Sequence, residues 1–321
     1  MIEYDEGIHL KDTSIWFDAK KRAEFSFISH ANLGSLAPHN KVIATPETLK
    51  LCERKLKGSV ALACPYGRPF SLGKAQVELI PAGHILGSAQ IVVEVDGSRI
   101  IYTGDFKLGG SKTTEPGEAK RCDILVMKCT YGLPKYVFPP VEEVVGNLCV
   151  FVEKFLSRGI TPVLLANPLG ESQEAVKVLG DMGYRLSLHS SIFRMVKIYE
   201  EFGVSFSNYD RYRAKELEGS ILIVPPYARG GRVVEGIEEK RIAILTGWAL
   251  EKEFVTLVFG ADEAFPISNC ADFEELIGYV GLAKPREVYL VGGFSAEFAR
   301  VLKKRGFNAK PLERPSQLRL I

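Results

Sequence analysis

The sequence lacks the features that mark secreted proteins, membrane proteins and zinc fingers. Its 321 residues include six cysteines, but they form no Cys-x-x-Cys pair and have no regular spacing, which argues against a disulfide framework and a cysteine-rich zinc site. Without a signal peptide or an apolar run near 18 residues, we expect a cytoplasmic protein with no membrane partner. The net charge of +2 gives no reason to expect a polyanionic binding partner.

Amide side chains are also scarce. Asparagine and glutamine together number 11, whereas charged residues make up 25% of the chain. Few thermolabile amides and many charges are typical of thermophilic proteins, so we expect an archaeal-type or thermophilic source. The length allows two domains or one large α/β unit, and a hydrophobic content of 46% supports a sizeable core.

The local pattern changes near Pro139-Pro140. Before this point, short apolar runs separated by Gly and Pro predict strands at 14–17, 24–28, 77–80, 91–95, 100–103 and 124–127. After it, strands alternate with amphipathic helices, the first beginning at Val141, which is typical of a parallel three-layer α/β unit. The last part returns to the first pattern, with a helix predicted over 273–282 and a strand over 287–291.

One predicted hairpin carries two side chains that can bind a metal. Its strands at 91–95 and 99–103 flank a turn at Asp96-Gly97, so His84 before the first strand and Asp105 after the second should meet at one sheet edge. An imidazole and a carboxylate on loops at strand ends suit a zinc-like ion. The pair alone leaves open the alternative of a structural hydrogen bond.

The run 27–35 upstream adds His30 after another β-rich stretch. Together with 81–90 and Tyr102-Thr103-Gly104-Asp105, it resembles the metallo-β-lactamase fold, in which three such loops hold two zinc ions and a bridging hydroxide. Further motifs make the chain similar to the β-CASP nucleases, in particular the DNA ligase-associated exonuclease and the RNA 3′-end processing exonuclease-like proteins. These motifs are Thr130-Tyr131-Gly132-Leu133-Pro134, Leu169-Gly170, Pro225-Pro226, Thr246-Gly247-Trp248 and Pro266-Ile267-Ser268.

The resemblance covers nearly all of the chain and implies a domain layout. Residues 1–144 and 251–321 would form an αββα metallo-β-lactamase sandwich. Residues 145–250 would form an inserted three-layer α/β β-CASP domain. Asp18 would support the loop that carries His30, and a plain turn residue is the alternative.

The resemblance also implies metal ligands, several of which are missing. One zinc ion would use the positions of His30, Asn32, His84 and Asp105. Asn32 is a poor zinc ligand because its amide oxygen is neutral. The second ion would use the positions of Gly34, Ser35, Asp105 and Gly292. Glycine supplies no side chain, so Asp105 is the one expected ligand that remains at this second position.

Three further positions depart from the family pattern. Lys128 stands where an acidic residue is expected, which reverses the charge. Cys270 stands where the resemblance implies a histidine that contacts the scissile phosphate or protonates the leaving group. Glu171 replaces a lysine expected to contact phosphate, so its carboxylate would repel that group.

We therefore expect a catalytically inactive protein, a pseudonuclease, that acts as a binding or regulatory subunit in RNA or DNA processing. Two-metal phosphodiester cleavage needs both ions to stabilise the transition state. Each electrostatic donor removed from such a site costs about 3–4 kcal/mol. The expected partners are single-stranded RNA or DNA, an active β-CASP paralogue and a second copy of the chain. The expected cofactor is none, or a single weakly held metal ion, with zinc as the first candidate.

Two other functions stay open. In one, His30, His84 and Asp105 form a two-histidine, one-carboxylate set that holds one ion, and the protein is a one-metal hydrolase or nuclease. In the other, the protein binds nucleic acid without catalysis.

For such a binder the candidate residues are Lys128, Trp248, Tyr227, Arg229 and Arg232. Lys128 would replace the positive charge of a missing metal. Trp248 or Tyr227 would stack on a base, and the two arginines would contact phosphate. Core packing of Trp248 and a mobile loop at 229–232 are the alternatives.

Overall fold

The computed structural model describes residues 2–34, 36–213 and 217–312. It shows an α/β protein that divides into two compact units. Unit 1 takes its described residues from Met1–Gly110, Thr114–Tyr136 and Cys270–Ile321, and unit 2 from Ser111–Thr113 and Val137–Asn269. Across the described residues, no helix is long and apolar enough to cross a membrane.

Unit 1 contains two sheets within the described part of the chain. The first has six strands in sequential order: Ile2–Tyr4, Ile8–Leu10, Ile15–Phe17, Phe25–Phe27, Lys41–Ala44 and Val60–Ala63. The first three strands pair antiparallel, and the pairs from the third strand onward are parallel. The loop that carries His30 therefore begins at the carboxyl end of an internal strand.

The second sheet of unit 1 has seven strands among the described residues. Their spatial order is Ala309–Pro311, Glu287–Val291, Ile124–Lys128, Ser98–Tyr102, Ala89–Val95, Ala75–Pro81 and Phe70–Leu72. The first four pair in parallel and the remaining pairs are antiparallel. The predicted hairpin turn is confirmed at Asp96-Gly97, where both residues have positive φ.

Alternation along the strands divides the apolar side chains of unit 1 between two core clusters. One contains residues of both sheets, including Phe17, Phe27 and Ile91. The other contains Ile101 and Leu125 of the second sheet with side chains of the helices Phe273–Ala283 and Ser295–Lys304. A third helix of this unit, Pro46–Cys52, follows Lys41–Ala44.

Unit 2 is built on one parallel sheet of six described strands. Their spatial order is Tyr209–Arg211, Leu186–Leu188, Ile221–Val224, Thr161–Leu165, Lys240–Leu245 and Glu263–Phe265. Core residues of Val141–Leu156, Glu171–Asp181 and Ser190–Glu201 share one cluster with alternate strand residues. The other strand residues share a second cluster with side chains of Arg232–Glu235, Gly247–Glu251 and Lys252–Phe259.

The units have different limits from the domains that the sequence predicted, which were 1–144 with 251–321 and 145–250. Val137 begins the main part of unit 2 because helix Val141–Leu156 contributes Val144 and Leu148 to its core. Asn269 ends it because strand Glu263–Phe265 pairs with Lys240–Leu245. Ser111–Thr113 joins unit 2 because the Glu174 carboxylate accepts hydrogen bonds from this segment.

Two helices of unit 1 begin at a side-chain cap. The helix Pro46–Cys52 begins at Thr45, whose hydroxyl accepts a hydrogen bond from the Thr48 amide at 3.2 Å. The helix Phe273–Ala283 begins at Asp272, whose carboxylate accepts from the Glu275 amide at 2.9 Å. Both caps satisfy backbone donors that the first helical turn leaves without partners.

Candidate functional site: a histidine and aspartate cluster paired with a lysine

The loop that carries His84 is held by hydrogen bonds to its own backbone. The Ser88 hydroxyl accepts from the amides of His84 and Ile85 at 3.0 and 3.1 Å. Gly83 has a φ of +73°, and a Cβ there would clash with the carbonyl oxygen of Lys107. Gly87 presents its carbonyl to the Thr45 and Thr48 hydroxyls at 2.6 and 2.9 Å. The glycines and the serine therefore fix the position of the imidazole.

His30 is positioned by a chain of polar contacts that begins at Asp18. The Asp18 carboxylate accepts from the Ser29 amide at 2.8 Å and from the Ser29 hydroxyl at 2.5 Å. The Ser29 hydroxyl lies 2.8 Å from His30 Nδ1. The Tyr102 hydroxyl also donates to Asp18, at 2.7 Å. Asp18 therefore supports the loop that carries His30, as the resemblance implied.

The Asp18 carboxyl is partly buried among these neighbours. Its burial raises its pKa above the ordinary value, although the hydrogen bonds from Ser29 and Tyr102 oppose that rise. Removing one of these hydrogen-bond donors should therefore lower the free energy of unfolding.

We expect Tyr102→Phe to lower the free energy of unfolding by about 1.5 kcal/mol, the value for a hydrogen bond to a charged acceptor. Tyr209→Phe is the matched control, since the Tyr209 hydroxyl donates to a half-exposed Glu200 carboxylate at 2.6 Å and solvent can replace it. Urea denaturation followed by circular dichroism measures both. Equal losses in the two variants would contradict a special role for Asp18.

Three side chains that can ligate a metal meet beside this network. One ligand atom each of His30, His84 and Asp105 lies within 4.8 Å of the others. His30 Nε2 is 3.4 Å from Asp105 Oδ2, and the two imidazole rings meet edge to face at 4.7 Å. His30 and His84 are buried, and Asp105 keeps 12% of its side chain exposed.

Lys128 forms an ion pair with the carboxylate of this cluster. Its ammonium donates a hydrogen bond to Asp105 Oδ2, the same oxygen that faces His30. The other oxygen, Oδ1, accepts from the Thr130 hydroxyl at 3.3 Å. Both carboxylate oxygens therefore already have partners supplied by the protein.

The protonation states follow from burial and from this ion pair. Burial alone would raise the pKa of the Asp105 carboxyl, but the positive charge of Lys128 beside it outweighs burial and holds that pKa well below its ordinary value. Burial, and then His84, lower the pKa of His30, so its imidazole is neutral. Burial would lower the pKa of Lys128, but Asp105 raises it, so the ammonium stays charged.

A pair of zinc ions does not fit these residues. Asn32 and the two glycines, Gly34 and Gly292, replace expected ligands, and the ammonium of Lys128 holds the carboxylate that would have to bridge the ions. A single ion would have three candidate ligands but would compete with Lys128 for Asp105 Oδ2. Ser35, the remaining predicted position, lies outside the described residues.

Cys270 also lies at the cluster. Its Sγ is 3.6 Å from His84 Nδ1, so a thiol lies against one ring nitrogen of this histidine. The thiol is a weaker acid and a poorer hydrogen-bond donor than the histidine that the resemblance implied at this position.

A cavity of about 560 Å³ in unit 1 adjoins Lys128. Its lining includes Asn32, Gly34 and Gly292, the described positions at which expected metal ligands are replaced.

The candidate nucleic-acid residues of unit 2 follow the carboxyl ends of its parallel strands. Tyr227 comes after Ile221–Val224 and is 73% exposed, whereas Trp248 comes after Lys240–Leu245 and is 37% exposed. Their partly exposed rings provide faces on which a base can stack. Trp248 is therefore not enclosed in the core.

The two arginines differ in their exposure and in their hydrogen bonds. Arg232 is exposed at the start of Arg232–Glu235. Arg229 donates from Nε and Nη2 to the carbonyl of Gly260, at 3.1 and 2.9 Å, so this guanidinium is engaged within unit 2. Gly230 and Gly231 lie between them, in the short connection from the helical turn Pro226–Ala228 to the helix Arg232–Glu235.

The sequence did not reveal the roles of Ser29, Tyr102 and Thr130. Each acts through one hydroxyl, and a hydroxyl produces no periodic signal. Their neighbours in sequence offered the available hints, since Ser29 precedes His30, and Tyr102 and Thr130 belong to motifs that the resemblance already used.

No family model matches the sequence. A probable DNA ligase of Opitutus terrae is 32% identical over 322 residues, which cover 99% of this chain and 32% of the ligase. An RNase J-like protein of Methanocaldococcus jannaschii is 32% identical over 122 residues, or 37% of this chain and 28% of that protein. This chain thus spans about a third of the length of these relatives.

A solved structure adds evidence on the fold alone. It is a protein of unknown function from Enterococcus faecalis V583, with a TM-score of 0.58 at 16% identity over 85% of this chain and 76% of the other. The family assignment rests on the sequence relatives, because a structure that is 16% identical is evidence for the fold alone. The chain belongs to the β-CASP branch of the metallo-β-lactamase family.

Proposed function

We propose that this protein is a β-CASP pseudonuclease that binds single-stranded nucleic acid ends during DNA processing and does not cut them. In this proposal unit 1 is the αββα metallo-β-lactamase sandwich and unit 2 is the inserted three-layer β-CASP domain. The protein acts beside a strand-joining or strand-cutting enzyme as a binding or regulatory subunit.

The ion pair between Lys128 and Asp105 is the observation that carries this proposal. In a metal-dependent nuclease the ions neutralise the phosphate and activate the attacking water. Here a fixed ammonium supplies positive charge at the carboxylate, and an ammonium cannot lower the pKa of a water molecule by coordinating it. The arrangement keeps an attraction for phosphate and loses the means of generating a hydroxide.

The choice of DNA rests on a relative that matches along the whole chain. That relative is a probable DNA ligase, and it matches 99% of this chain. A module of this kind beside a ligase would hold strands in position for joining, and cutting them would oppose that outcome. The RNase J-like relative matches 37% of the chain, so RNA is the comparison substrate in the test.

The test incubates near-stoichiometric protein with labelled single-stranded DNA and RNA, in separate reactions with zinc, manganese or a chelator. We expect intact strands in every reaction and a strand complex that survives the chelator. Asp105→Asn is the matched control, and it should leave the absence of cleavage unchanged. Metal-dependent cleavage that disappears in Asp105→Asn would overturn the proposal.

A one-metal hydrolase is the second candidate, because candidate ligand atoms of His30, His84 and Asp105 lie within 4.8 Å of one another. This function requires a metal ion that displaces Lys128 from Asp105. It predicts hydrolysis that depends on one equivalent of metal and is lost in His84→Ala. Hydrolysis that persists in His84→Ala, or protein that takes up no metal, would eliminate this candidate.

A further inference from the structure

A basic surface lies at the amino-terminal edge of the second sheet of unit 1. The parallel strands Ser98–Tyr102 and Ile124–Lys128 begin at this edge, whereas Lys128 ends one of them and Asp105 follows the other. A strand of five residues is about 16 Å long. The surface is therefore separate from the histidine and aspartate cluster, at the other end of the same strands.

The basic edge consists of the four segments that lead into neighbouring strands of this sheet, namely 96–99, 121–123, 284–287 and 303–308. Backbone hydrogen bonds join these segments. The Asp123 amide donates to the Arg99 carbonyl at 2.8 Å, and the Arg286 amide donates to the Asp123 carbonyl at 2.8 Å. The Val288 amide donates to the Asn308 carbonyl at 2.8 Å. Neighbouring strands lie about 4.8 Å apart, so the sheet fixes the four segments in a row about 15 Å long.

Positive charge is concentrated along the basic edge. Basic residues outnumber acidic residues by four in these segments, although the whole chain carries a net charge of only +2. All of the basic side chains are exposed; they are Arg99, Arg121, Lys284, Arg286, Lys303, Lys304 and Arg305. The basic edge therefore presents a local positive field to the solvent.

The acidic residues of the basic edge are already neutralised by cations. Asp96 pairs with Lys74 at 3.3 Å, and Glu287 pairs with Lys310 at 3.5 Å, so both cations come from outside the four segments. Asp123 pairs with Arg286 at 3.3 Å. Among the described residues, five of the basic side chains make no ion pair: Arg121, Lys284, Lys303, Lys304 and Arg305.

Two of these five side chains line a cavity of about 600 Å³ in the basic edge. Arg121 and Lys284 belong to its lining, together with the hairpin turn at Asp96-Gly97. The remaining carboxylate of the lining, Glu94, is held by Arg99 at 2.5 Å. The cavity thus offers a recess beside two exposed cations for an anionic group.

The composition of the basic edge favours a phosphate backbone over a protein partner. No large hydrophobic side chain is exposed in the described residues of its four segments. Protein interfaces depend on aromatic or aliphatic side chains at their centre, and single-stranded nucleic acids depend on aromatic rings for stacking. Contacts to the backbone of a duplex need neither, because its bases stay inside the helix.

We infer that the basic edge binds the sugar–phosphate backbone of duplex DNA. B-DNA rises about 3.4 Å per base pair, so a row of cations about 15 Å long faces about four phosphates of one strand. The inference goes beyond the proposed function, since it assigns a second surface to a second form of nucleic acid and does not depend on whether strands are cut. A strand end awaiting joining adjoins a duplex, which this surface would hold.

The test measures how the affinity for duplex DNA depends on salt. Fluorescence anisotropy follows the full chain with a labelled blunt duplex of about 20 base pairs between 50 and 200 mM salt, in the presence of a chelator. Arg121→Gln combined with Lys284→Gln should lower the magnitude of the slope of log K against log salt by about 2, since each phosphate contact contributes about 0.9. The same slope predicts affinity about 10- to 100-fold weaker at 50 mM salt. Arg158→Gln combined with Arg185→Gln is the matched control, because it removes two exposed charges from unit 2.

A second double variant tests the other end of the row. Lys303→Gln combined with Arg305→Gln should lower the slope by a similar amount, and both double variants should keep the circular dichroism spectrum of the parent protein. An unchanged slope in either one would overturn the inference, because the row of cations would then not act as one surface. An equal decrease in the unit 2 control would also overturn it, since net charge alone would then explain the effect.

A competition experiment separates DNA from an acidic protein as the ligand. Polyglutamate at the same concentration of charge should displace the labelled duplex poorly, whereas unlabelled duplex should displace it fully. Equal displacement by polyglutamate would overturn duplex DNA as the ligand. Failure of the inference would leave the proposed function standing, and metal-dependent cleavage of single strands would overturn the proposed function without affecting the basic edge.

Discussion

Lys128→Met should lower the free energy of unfolding by about 3 kcal/mol at neutral pH, the lower end of the range for breaking a buried ion pair. Asp105 keeps 12% of its side chain exposed, and without the ammonium the neighbours left to its carboxylate are the Thr130 hydroxyl and the imidazoles of His30 and His84. The lower end applies because Lys128 keeps 30% of its side chain exposed and water can reach it. Chemical denaturation of Lys128→Met and of the parent protein measures the loss.

A double-mutant cycle identifies the cause of that loss. Lys128→Met combined with Asp105→Asn removes both charges, so the double variant should recover most of the stability. Lys74→Met is the matched surface control, since Lys74 and Asp96 form an exposed pair at 3.3 Å that contributes about 0.5 kcal/mol or less. A loss in Lys128→Met no larger than that in Lys74→Met would show that the ion pair is not a structural element.

Trp248→Ala should weaken the binding of single-stranded DNA by about 5- to 100-fold, the range that corresponds to 1–3 kcal/mol for one stacked base. The indole ring is 37% exposed and follows the carboxyl end of Lys240–Leu245, the edge at which parallel sheets bind ligands. Its amide is anchored by the Thr246 hydroxyl at 3.4 Å, so the backbone position does not depend on the ring. Anisotropy titrations at low salt measure the affinity.

Trp248→Phe is the control for this effect. It keeps an aromatic face and should retain most of the affinity, and both variants should keep the circular dichroism spectrum of the parent protein. If Trp248→Ala binds as tightly as the parent protein, the ring does not contact the strand, and the binding surface assigned to unit 2 is wrong.

Regular elements of this fold were predictable where the residue pattern has one clear period. The strand Glu287–Val291 is a continuous apolar run after its first residue, and the sequence predicted it with the limits that the structure shows. Strands of three residues, such as Ile2–Tyr4 and Tyr209–Arg211, are too short to establish a period. The helix Lys252–Phe259 escaped prediction because its exposed apolar side chains, including Leu257, obscure the amphipathic pattern.

From local residue patterns alone, proximity within the site was predictable only across the hairpin, whereas the place of His30 beside it came from the family resemblance. A hairpin fixes the distance between its ends, so the meeting of His84 and Asp105 followed from the sequence. The contact between Lys128 and Asp105 depends on the parallel pairing of Ile124–Lys128 with Ser98–Tyr102. No local pattern specifies that register, so the sequence indicated the reversed charge of Lys128 without indicating its partner. The cavity likewise requires the two glycines, Gly34 and Gly292, to be brought together by the fold.

Metal content tests the central claim most directly, namely that the ammonium of Lys128 stands in for the metal ions of an active relative. The measurement is inductively coupled plasma mass spectrometry of untagged protein purified without chelator and dialysed against micromolar zinc, for the parent chain and for Lys128→Ala. We expect no stoichiometric metal in the parent protein and one bound zinc ion in Lys128→Ala, where His30, His84 and Asp105 become available together. Two tightly held ions in the parent protein would contradict this claim, and nuclease activity would then be the expected function.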